Sequence, residues 1–500
     1  MKNQYLTLPL LMVSMVVVIP IQNTAAAKRK ATQQPTSPNI FLIFTDQQNI
    51  NAMSAAGNPL LKTPNMDKLA DDGVRFTKAY CTSPVSGPSR ASIITGLMPS
   101  ETGFDWNNRS VLNDDTQTIG HLLSTVGYKS VWAGKWHLPD TYPQQKSDTM
   151  FHLKGFDFLP FWKAPERRWL LGAETDPPLT TAVENYLDNY DKKQPLFLAV
   201  SYHNPHDICF YPRKIGWETE KDSLLDVIPF GKYKLPAPMG VHPDSLQQLP
   251  DLPFNHSINK NEPEFVRDKR VKENSYGDEV KLAAKFTDDE WRAYLYSYYR
   301  LTELVDIEIG KIMDALKRNK MYDNSLIIFT SDHGDGMAAH KWASKLSLYE
   351  ESAQVPFIIL TPTKRNQSIV DSKSIITLAD IVPTICDYAG VKTDIDFAGV
   401  SLRSTVENLS KLDRDYIVCE LADDVRNVNR KGRMIRSDRF KYNFYSQGLY
   451  NEQLFDLVED PGEKNNLAHD IIYAEILRQH REYLKQWLKE RNDNFIRFML

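Results

Sequence analysis

Residues 39–48 read Asn-Ile-Phe-Leu-Ile-Phe-Thr-Asp-Gln-Gln, and this stretch decides the fold class. The run from Asn39 to Thr45 is almost entirely apolar and ends abruptly at Asp46 and Gln47. Such a run is typical of a strand that is buried on both faces, as in a parallel sheet. Because ligands of open α/β sheets bind at the carboxyl ends of the strands, we expect Asp46 and Gln47 to lie at a functional site.

Strand-like and helix-like segments alternate outward from this strand. The alternation predicts an α/β fold with a mostly parallel central sheet sandwiched by helices. Two long segments rich in Pro, aromatic and charged residues, 139–178 and 206–287, interrupt it and are predicted to be loops that are either functional or disordered. The predicted strands are 74–80, 129–133, 196–202, 325–330 and 355–360, and the predicted helices are 66–72, 116–126, 182–190, 288–318 and 375–389.

The pattern of predicted secondary structure changes near residue 411. Short β-like runs at 416–420, 434–435 and 440–445 precede a helical tail at 471–491. We therefore predict a large domain over residues 38–410 and a smaller C-terminal α+β domain over residues 411–500.

The N-terminus has the features of a secretory signal peptide over residues 1–27. Lys2 gives a positive start, residues 8–21 are nearly all apolar, and Ala25 to Ala27 offer small residues for cleavage. A membrane anchor is the alternative, but the apolar run is short for a span and contains Pro9 and Pro20. Residues 28–37 are then a polar linker, and the mature protein is expected to be exported, periplasmic or secreted, without a membrane span.

The composition is that of an ordinary globular protein. Hydrophobic residues make up 42% of the 500 residues, charged residues 25%, and the formal net charge is -4, so a nucleic-acid partner is not expected. The four cysteines, at positions 81, 209, 386 and 419, show no C-x-x-C spacing. Export permits a disulfide bond, but buried free cysteines are the favoured interpretation.

Residues 81–96, Cys-Thr-Ser-Pro-Val-Ser-Gly-Pro-Ser-Arg-Ala-Ser-Ile-Ile-Thr-Gly, hold the strongest chemical signal. Pro88 suits the first turn of a helix, so Ser86 is predicted at a helix N-terminus, where free N–H groups favour anions. Arg90 lies one turn further on, which predicts a guanidinium beside Ser86 that contacts an oxyanion through its planar fork.

The pattern Ser86-x-Pro88-Ser89-Arg90, followed by Thr95-Gly96, resembles the signature of type I sulfatases of the alkaline-phosphatase superfamily. The resemblance implies an alkaline-phosphatase-like fold and hydrolysis of sulfate esters. It also implies that a maturation enzyme oxidises Ser86 to formylglycine (3-oxoalanine), whose hydrated aldehyde is the nucleophile. A serine at this position is associated in the family with a bacterial, oxygen-independent radical maturase.

Asp46-Gln47 and Asp332-His333 resemble the two metal-binding pairs of the family. Together with the oxygen on residue 86, they imply one divalent metal held by a mostly oxygen shell. Such a shell suits Ca²⁺, or Mg²⁺, better than zinc, and the resemblance favours Ca²⁺. Gln47 departs from the commoner Asp, which removes one negative charge from the shell, and Asp335 is interpreted as a supporting residue.

Three further blocks resemble the family in its own order: Gly134-Lys-Trp-His-Leu138, His203-Asn-Pro-His206 and residues 342–351. The resemblance implies that Lys135 neutralises charge on the sulfate and that His137 deprotonates the diol. By the same resemblance Lys345 and His206 bind the sulfate, and either could protonate the departing alcohol.

The substrate is expected to be a sulfated carbohydrate, of the glycosaminoglycan or mucin type. Two alternatives remain open: a phosphatase or phosphodiesterase of the same superfamily that uses unmodified Ser86 with two zinc ions, and an inactive glycan-binding homologue. Aromatic and arginine side chains could contact the sugar, and the candidates are Trp106, Asn107, Asn108, Arg167, Arg168, Trp169, Arg426 and Arg430.

Overall fold

The computed structural model describes residue 1 and residues 37–499, except 108–111, 114, 139–148, 162–170, 210, 212–248, 272–277 and 425–426. The predicted signal peptide and most of the predicted linker thus lie outside the described residues. From residue 37 onward the described residues belong to one compact unit. No helix in this described part is both long enough and apolar enough to cross a membrane.

The helices and strands are numbered in chain order. The described residues form the α-helices α1 Pro64–Asp72, α2 Ser86–Thr95, α3 Pro99–Thr102, α4 Ile119–Ser124, α5 Leu171–Asn189, α6 Glu264–Val271, α7 Asp278–Ala283, α8 Asp288–Arg318, α9 Glu350–Ala353, α10 Ile381–Ala389, α11 Arg403–Asn408 and α12 Ala474–Glu490. They also form the strands β1 Asn39–Asp46, β2 Val74–Phe76, β3 Ala79–Tyr80, β4 Lys129–Gly134, β5 Phe151–Leu153, β6 Phe156–Phe158, β7 Leu196–Pro205, β8 Ser325–Ser331, β9 Phe357–Leu360, β10 Ile369–Asp371, β11 Ile376–Thr377, β12 Tyr416–Asp424, β13 Asn427–Ser437, β14 Phe440–Tyr445 and β15 Glu452–Asp456.

The large sheet has nine strands among the described residues, in the order β10-β2-β9-β8-β1-β7-β4-β6-β5. The pairs β8–β1, β1–β7, β7–β4 and β4–β6 are parallel. By contrast, β9 runs antiparallel to both of its neighbours, and β5 is antiparallel to β6. The predicted mostly parallel α/β sheet is confirmed.

The side chains of β1 show how the sheet is covered. Ile40, Leu42 and Phe44 pack on one face against α2, α4 and α10, and Phe41 and Ile43 pack on the other against α1, α5 and α8. Neighbouring side chains of a strand point to opposite faces, so an apolar run becomes a strand buried on both sides. The predicted sandwich of helices around the sheet is therefore confirmed.

The strand register brings the polar strand ends to one edge of the sheet. Thr45 of β1 pairs with Ser331 of β8, and Asp46 pairs with Pro205 of β7. On the far side of β7, Gly134 of β4 pairs with Ser201. The residues that follow these strands therefore start at the same level, and this edge holds the candidate site.

The C-terminal part is a second, smaller sheet. Strands β12, β13, β14 and β15 are antiparallel neighbours in that order, and Leu477, Leu484 and Leu488 of α12 pack against them. The predicted α+β texture of this region is confirmed, while the exact domain boundaries remain predictions.

Several predicted elements differ in extent. The predicted strand 74–80 is two short strands that pair with different partners, and β15 was not predicted. Helix α5 begins eleven residues before the predicted start at 182, because it continues through Pro177 and Pro178. All four cysteines lie in the described segments, where each is buried and free.

Candidate active site

Ser86 is the first residue of α2 and is completely buried. Its Oγ lies 2.9 Å from His333 Nε2 and accepts a hydrogen bond from Lys345 Nζ at 3.1 Å. The imidazole follows strand β8 and the ammonium belongs to a later loop, so segments far apart in sequence meet at this hydroxyl. The residues gathered around it are called the Ser86 pocket, namely Asp46, Ser86, Arg90, Lys135, Asp332, His333 and Lys345.

The start of α2 is more occupied than we predicted. The Gly87 N–H donates to Asn107 Oδ1 at 2.8 Å, and Pro88 has no N–H to offer. Attraction for an anion here comes mainly from side-chain cations instead of from open N–H groups at the helix start. Asn107, predicted as a sugar contact, therefore supports the backbone next to Ser86.

Arg90 holds the carboxylates of the pocket. Its Nε donates to Asp332 Oδ2 and one terminal nitrogen donates to Asp46 Oδ2, each at 2.8 Å. The other terminal nitrogen donates to the Lys135 carbonyl at 2.9 Å and to Ser201 Oγ at 2.7 Å. Four of its five N–H groups are thus used by the protein in this structure, and one N–H of the terminal nitrogen that contacts Asp46 is left. The fork-like contact of Arg90 with an oxyanion stays a prediction.

Asp46 and Lys135 form a buried ion pair. Lys135 Nζ donates to Asp46 Oδ2 at 2.5 Å, and both side chains are almost completely buried. Burial alone would raise the pKa of Asp46, but the surrounding positive charge, led by Lys135, holds this pKa well below its usual range. Burial lowers the pKa of Lys135, and the Asp46 carboxylate opposes this effect. Asp46 is therefore ionised and available as a cation ligand.

Asp46, Asp332 and His333 have the chemistry of a cation site. All three are buried, and one ligand atom of each lies within 4.8 Å of the others. Asp46 Oδ1 has no hydrogen-bond partner among the described residues. His333 Nδ1 lies 2.9 Å from the Gly334 carbonyl, which places its proton there and leaves the Nε2 lone pair facing Ser86. These residues fit the divalent metal that the sequence implied.

The side chain of Gln47, a predicted metal ligand, makes hydrogen bonds with Asp335 and Cys209. Its backbone is left-handed, with a φ of 70°, and its Nε2 donates to Asp335 Oδ2 at 2.8 Å. The Oε1 accepts from Cys209 Sγ at 3.0 Å. An amide oxygen has a second lone pair, so the hydrogen bond with the thiol leaves room for one cation contact. Asp335 supports the Gln47 amide, as its interpretation as a supporting residue requires.

His137 and His206 approach the pocket from the ends of β4 and β7. His206 begins the short turn after Pro205, and the charges of Lys135, Lys345 and Asp46 all act on it. Burial and then the charge of Lys135 lower the pKa of both imidazoles well below the usual range. Both are consequently neutral near pH 7 and can accept a proton. His203 instead contacts Thr175 Oγ1 through Nδ1, at 3.1 Å.

Some residues of the site were missed from sequence. Ser201 of β7 orients Arg90, and two tyrosines one turn apart on α8, Tyr294 and Tyr298, reach the metal side of the pocket. The Tyr294 hydroxyl donates to Asp335, and the Tyr298 hydroxyl donates to the Gln47 carbonyl at 2.6 Å. The i,i+4 spacing of two tyrosines on the buried face of a helix is the signal that could have found them.

Two of the other predicted sugar contacts, Trp106 and Arg430, lie among the described residues, and both are engaged within the protein. Trp106 is completely buried in the core, so neither face of its ring is open to a sugar. Arg430 donates to Asp268 and to the Phe265 carbonyl. The remaining candidates, Asn108, Arg167, Arg168, Trp169 and Arg426, lie outside the described residues.

The fold and the pocket together define a class of protein. A buried hydroxyl at a helix start, three cations and two acidic residues at the carboxyl edge of an α/β sheet are the parts of a hydrolase for anionic esters. Residues 38–391 match the family described as Sulfatase, and residues 338–490 match the family described as N-sulphoglucosamine sulphohydrolase, C-terminal. The chain belongs to the sulfatase family.

Curated relatives and a solved structure cover nearly the whole chain. A Delta 4,5-hexuronate-2-O-sulfatase of Bacteroides thetaiotaomicron is 29% identical in an alignment of 487 positions that covers 93% of this chain and 92% of the relative. An N-acetylglucosamine-6-O-sulfatase of the same organism is 29% identical in an alignment of 506 positions that covers 94% of this chain and 89% of the relative. A solved 2-O GAG sulfatase superposes with a TM-score of 0.77 at 28% identity, covering 92% of this chain and 93% of that one.

Proposed function

We propose that the protein hydrolyses sulfate esters of sulfated carbohydrates of the glycosaminoglycan type. One observation carries the proposal: in a chain of the sulfatase family, the buried Ser86 Oγ contacts both His333 Nε2 and Lys345 Nζ, and His333 lies beside the carboxylates of Asp46 and Asp332. The names of the relatives support the carbohydrate class, since they act on a hexuronate 2-O-sulfate and an N-acetylglucosamine 6-O-sulfate.

Ser86 is proposed to carry formylglycine in the mature enzyme. The hydrated aldehyde supplies one hydroxyl to attack sulfur and a second through which sulfate can later be released. Because the Ser86 side chain is completely buried in the folded chain, its oxidation by a radical maturase must precede folding. We also propose that the chain is exported to the periplasm or beyond, on the basis of its signal-peptide-like residues 1–27.

The divalent metal is proposed to be Ca²⁺, held by Asp46, Asp332 and His333 together with Gln47 and the oxygen of residue 86. This shell is mostly oxygen, which favours a hard cation over zinc. When bound, the ion would polarise the oxygen nucleophile and offset negative charge on the sulfate.

The remaining catalytic roles, charge stabilisation and proton transfer, are proposed for side chains of the protein. Lys135 and Lys345 place positive charge where the sulfate oxygens gain electron density, and each such contact is worth ~3–4 kcal/mol of transition-state stabilisation. The neutral imidazole of His137 accepts the proton of the attacking group. His206 is neutral, whereas Lys345 Nζ already donates a hydrogen bond to Ser86 Oγ, so Lys345 is proposed as the donor to the departing alcohol.

The decisive experiment is to express the chain with and without a radical maturase and to measure two quantities. Mass spectrometry of the Ser86 peptide should show the loss of two hydrogen atoms only with the maturase. Free sulfate should then be released from 2-O-sulfated unsaturated uronate disaccharides or from 6-O-sulfated N-acetylglucosamine. Hydrolysis of phosphate esters by unmodified Ser86 would support the phosphatase alternative instead. Glycan binding without sulfate release by the oxidised protein would indicate an inactive homologue.

A further inference from the structure

A second group of buried charges lies where the Lys345 loop meets the C-terminal region. It is called the Glu463 cluster and comprises His340, Glu350, Glu351, Arg436, Lys441 and Glu463. His340 lies in the segment just before Lys345, and Glu350 and Glu351 are the first two residues of helix α9. The others are Arg436 of β13, Lys441 of β14 and Glu463 of the turn after β15. None of these residues belongs to the Ser86 pocket.

Two ligand atoms in this cluster lack partners among the described residues. His340 is completely buried, and its Nδ1 has no hydrogen-bond partner, while its Nε2 has only a long contact of 3.4 Å with Asn255 Nδ2. Glu351 accepts from Asn255 Nδ2 through Oε1 at 2.9 Å, but its buried Oε2 has no partner. Buried polar atoms without partners are costly, so each requires an explanation.

The charges of the cluster do not balance. Lys441 Nζ lies 3.1 Å from Glu350 Oε1 and 2.8 Å from Glu463 Oε1. Arg436 is the second cation, with its Nε 3.9 Å from Glu350 Oε2. Three carboxylates thus face two cations, and the nearby Arg270 is already paired with Glu262. Burial raises the pKa of Glu463 to about 8, so without a further cation one carboxylate of the cluster keeps a proton near pH 7. A metal bound beside the open Glu351 Oε2 would displace this proton.

The geometry points to a second metal site, formed by His340, Glu351 and Glu463, for a divalent transition metal of the zinc type. One ligand atom of each residue lies within 4.8 Å of the others. Ligands of one zinc ion lie about 2.0–2.2 Å from it, so two of them can be at most about 4.4 Å apart, and small side-chain movements complete the site. The three donors, one imidazole and two carboxylates, leave the fourth position of a zinc tetrahedron open. The Ser86 pocket differs because Gln47 and the oxygen of residue 86 add two more oxygen donors there, which brings that shell closer to the high oxygen count that Ca²⁺ prefers.

Such an ion would fasten the loop that carries Lys345 to the C-terminal region. Glu463 Oε2 already accepts from the Glu350 N–H at 2.6 Å, so the turn after β15 touches the start of α9. The metal would add His340, five residues before Lys345, to this contact. It would act on stability and on the position of Lys345 without touching the sulfate.

The test is the metal content of variants that remove only the open ligand atoms. Glu351→Gln keeps the oxygen that accepts from Asn255 and replaces only the oxygen without a partner. His340→Phe keeps a ring stacked on Tyr349, whose ring centroid lies 3.9 Å from that of the imidazole. Asp332→Asn is the matched control, because it disturbs the metal site of the Ser86 pocket alone.

The full mature chain is stripped of metal, dialysed against Zn²⁺ with excess Ca²⁺ and analysed by plasma mass spectrometry. The wild type and Asp332→Asn should retain about one zinc per chain, and Glu351→Gln and His340→Phe should lose it. Zinc should also raise the melting temperature of the wild type but not of these two variants. Equal zinc content in all four proteins, or none in the wild type, would overturn the proposal. Should the variants fail to fold, an anomalous zinc map of the wild type decides, by a peak or its absence between the three side chains.

Discussion

The Ser86 pocket and the Glu463 cluster are built from the same groups but have opposite charge balances. In the pocket, three cations, Arg90, Lys135 and Lys345, face two carboxylates, Asp46 and Asp332. In the cluster, three carboxylates face two cations. Burial makes either excess expensive unless a ligand of the opposite sign compensates it.

The difference explains what each region can bind. An excess of positive charge around a buried nucleophile suits an anionic ester, even after the two carboxylates have been given to a metal. An excess of negative charge beside an open imidazole suits a cation. The pocket should therefore control turnover, and the cluster should control stability, and variants can separate the two effects.

The largest effect is expected from Ser86→Ala. The variant removes the nucleophile precursor, so sulfate release from a sulfated disaccharide should fall below detection in the maturase-treated protein. The circular dichroism and the melting temperature should stay close to those of the wild type, because Ser86 serves chemistry more than packing. Turnover at the normal rate would refute the assignment of Ser86.

Arg90→Lys should reduce kcat about 10²–10³-fold. A lysine can reach one of Asp46 and Asp332 but cannot bridge both, since it lacks the planar fork. The matched control is Arg478→Lys, on an exposed arginine paired with Glu475, which should leave kcat unchanged. Steady-state rates of sulfate release measure both variants, and near-normal kinetics of Arg90→Lys would show that the bridge is dispensable.

Lys441→Met should lower the stability of the fold, whereas the two preceding variants act on turnover. The ammonium is completely buried, and its removal leaves Glu350 and Glu463 without their cation, which typically costs about 3–5 kcal/mol of stability. Urea unfolding should show this loss, whereas Lys485→Met, at an exposed pair with Glu482, should change stability little. An unchanged urea midpoint for Lys441→Met would show that the cluster is not a stabilising unit.

The sequence was sufficient for the parts of the pocket that strand periodicity determines. An apolar run followed by Asp46 predicts a carboxylate at the strand end, and the register of β1 with β8 then brings Asp332 beside it. The direction of the Arg90 side chain could not be predicted, because four acceptors from four other segments of the chain compete for it. Spacing along one helix contains no information about groups that only the tertiary fold brings near.

The Glu463 cluster was not predicted for the same reason. Its first and last members, His340 and Glu463, lie more than 120 residues apart in the chain, and no short motif contains the whole set. The support of Gln47 by Asp335, and of that carboxylate by Tyr294, likewise depends on how α8 packs against the strand ends. Buried polar networks of this kind are specified by tertiary packing and become visible only in a structure.

The smallest effect is expected at Glu420, a buried carboxylate that belongs to neither the Ser86 pocket nor the Glu463 cluster. Glu420 of β12 shares Arg433 with Asp493, and the guanidinium lies 2.7 Å from Asp493 but 3.5 Å from Glu420. Glu420 also accepts hydrogen bonds from the Ser100 N–H and hydroxyl, but no imidazole lies beside it in the described part of the chain, so a proton is the compensation we expect for the excess charge. Burial raises the pKa of Glu420 to about 7, from a model-peptide value of 4.5.

The sign of the pH dependence follows from this shift. Between pH 4.5 and about 7 the folded chain keeps a proton on Glu420 that the unfolded chain has lost, so stability falls as the pH rises through this window. Glu420→Gln removes the titration and should flatten this decline by about 1–3 kcal/mol in urea unfolding across the window. An identical pH dependence in the variant would mean that Glu420 is ionised in the folded protein. A single shared arginine would then suffice for two buried carboxylates, and the charge excess in the Glu463 cluster would no longer require a metal.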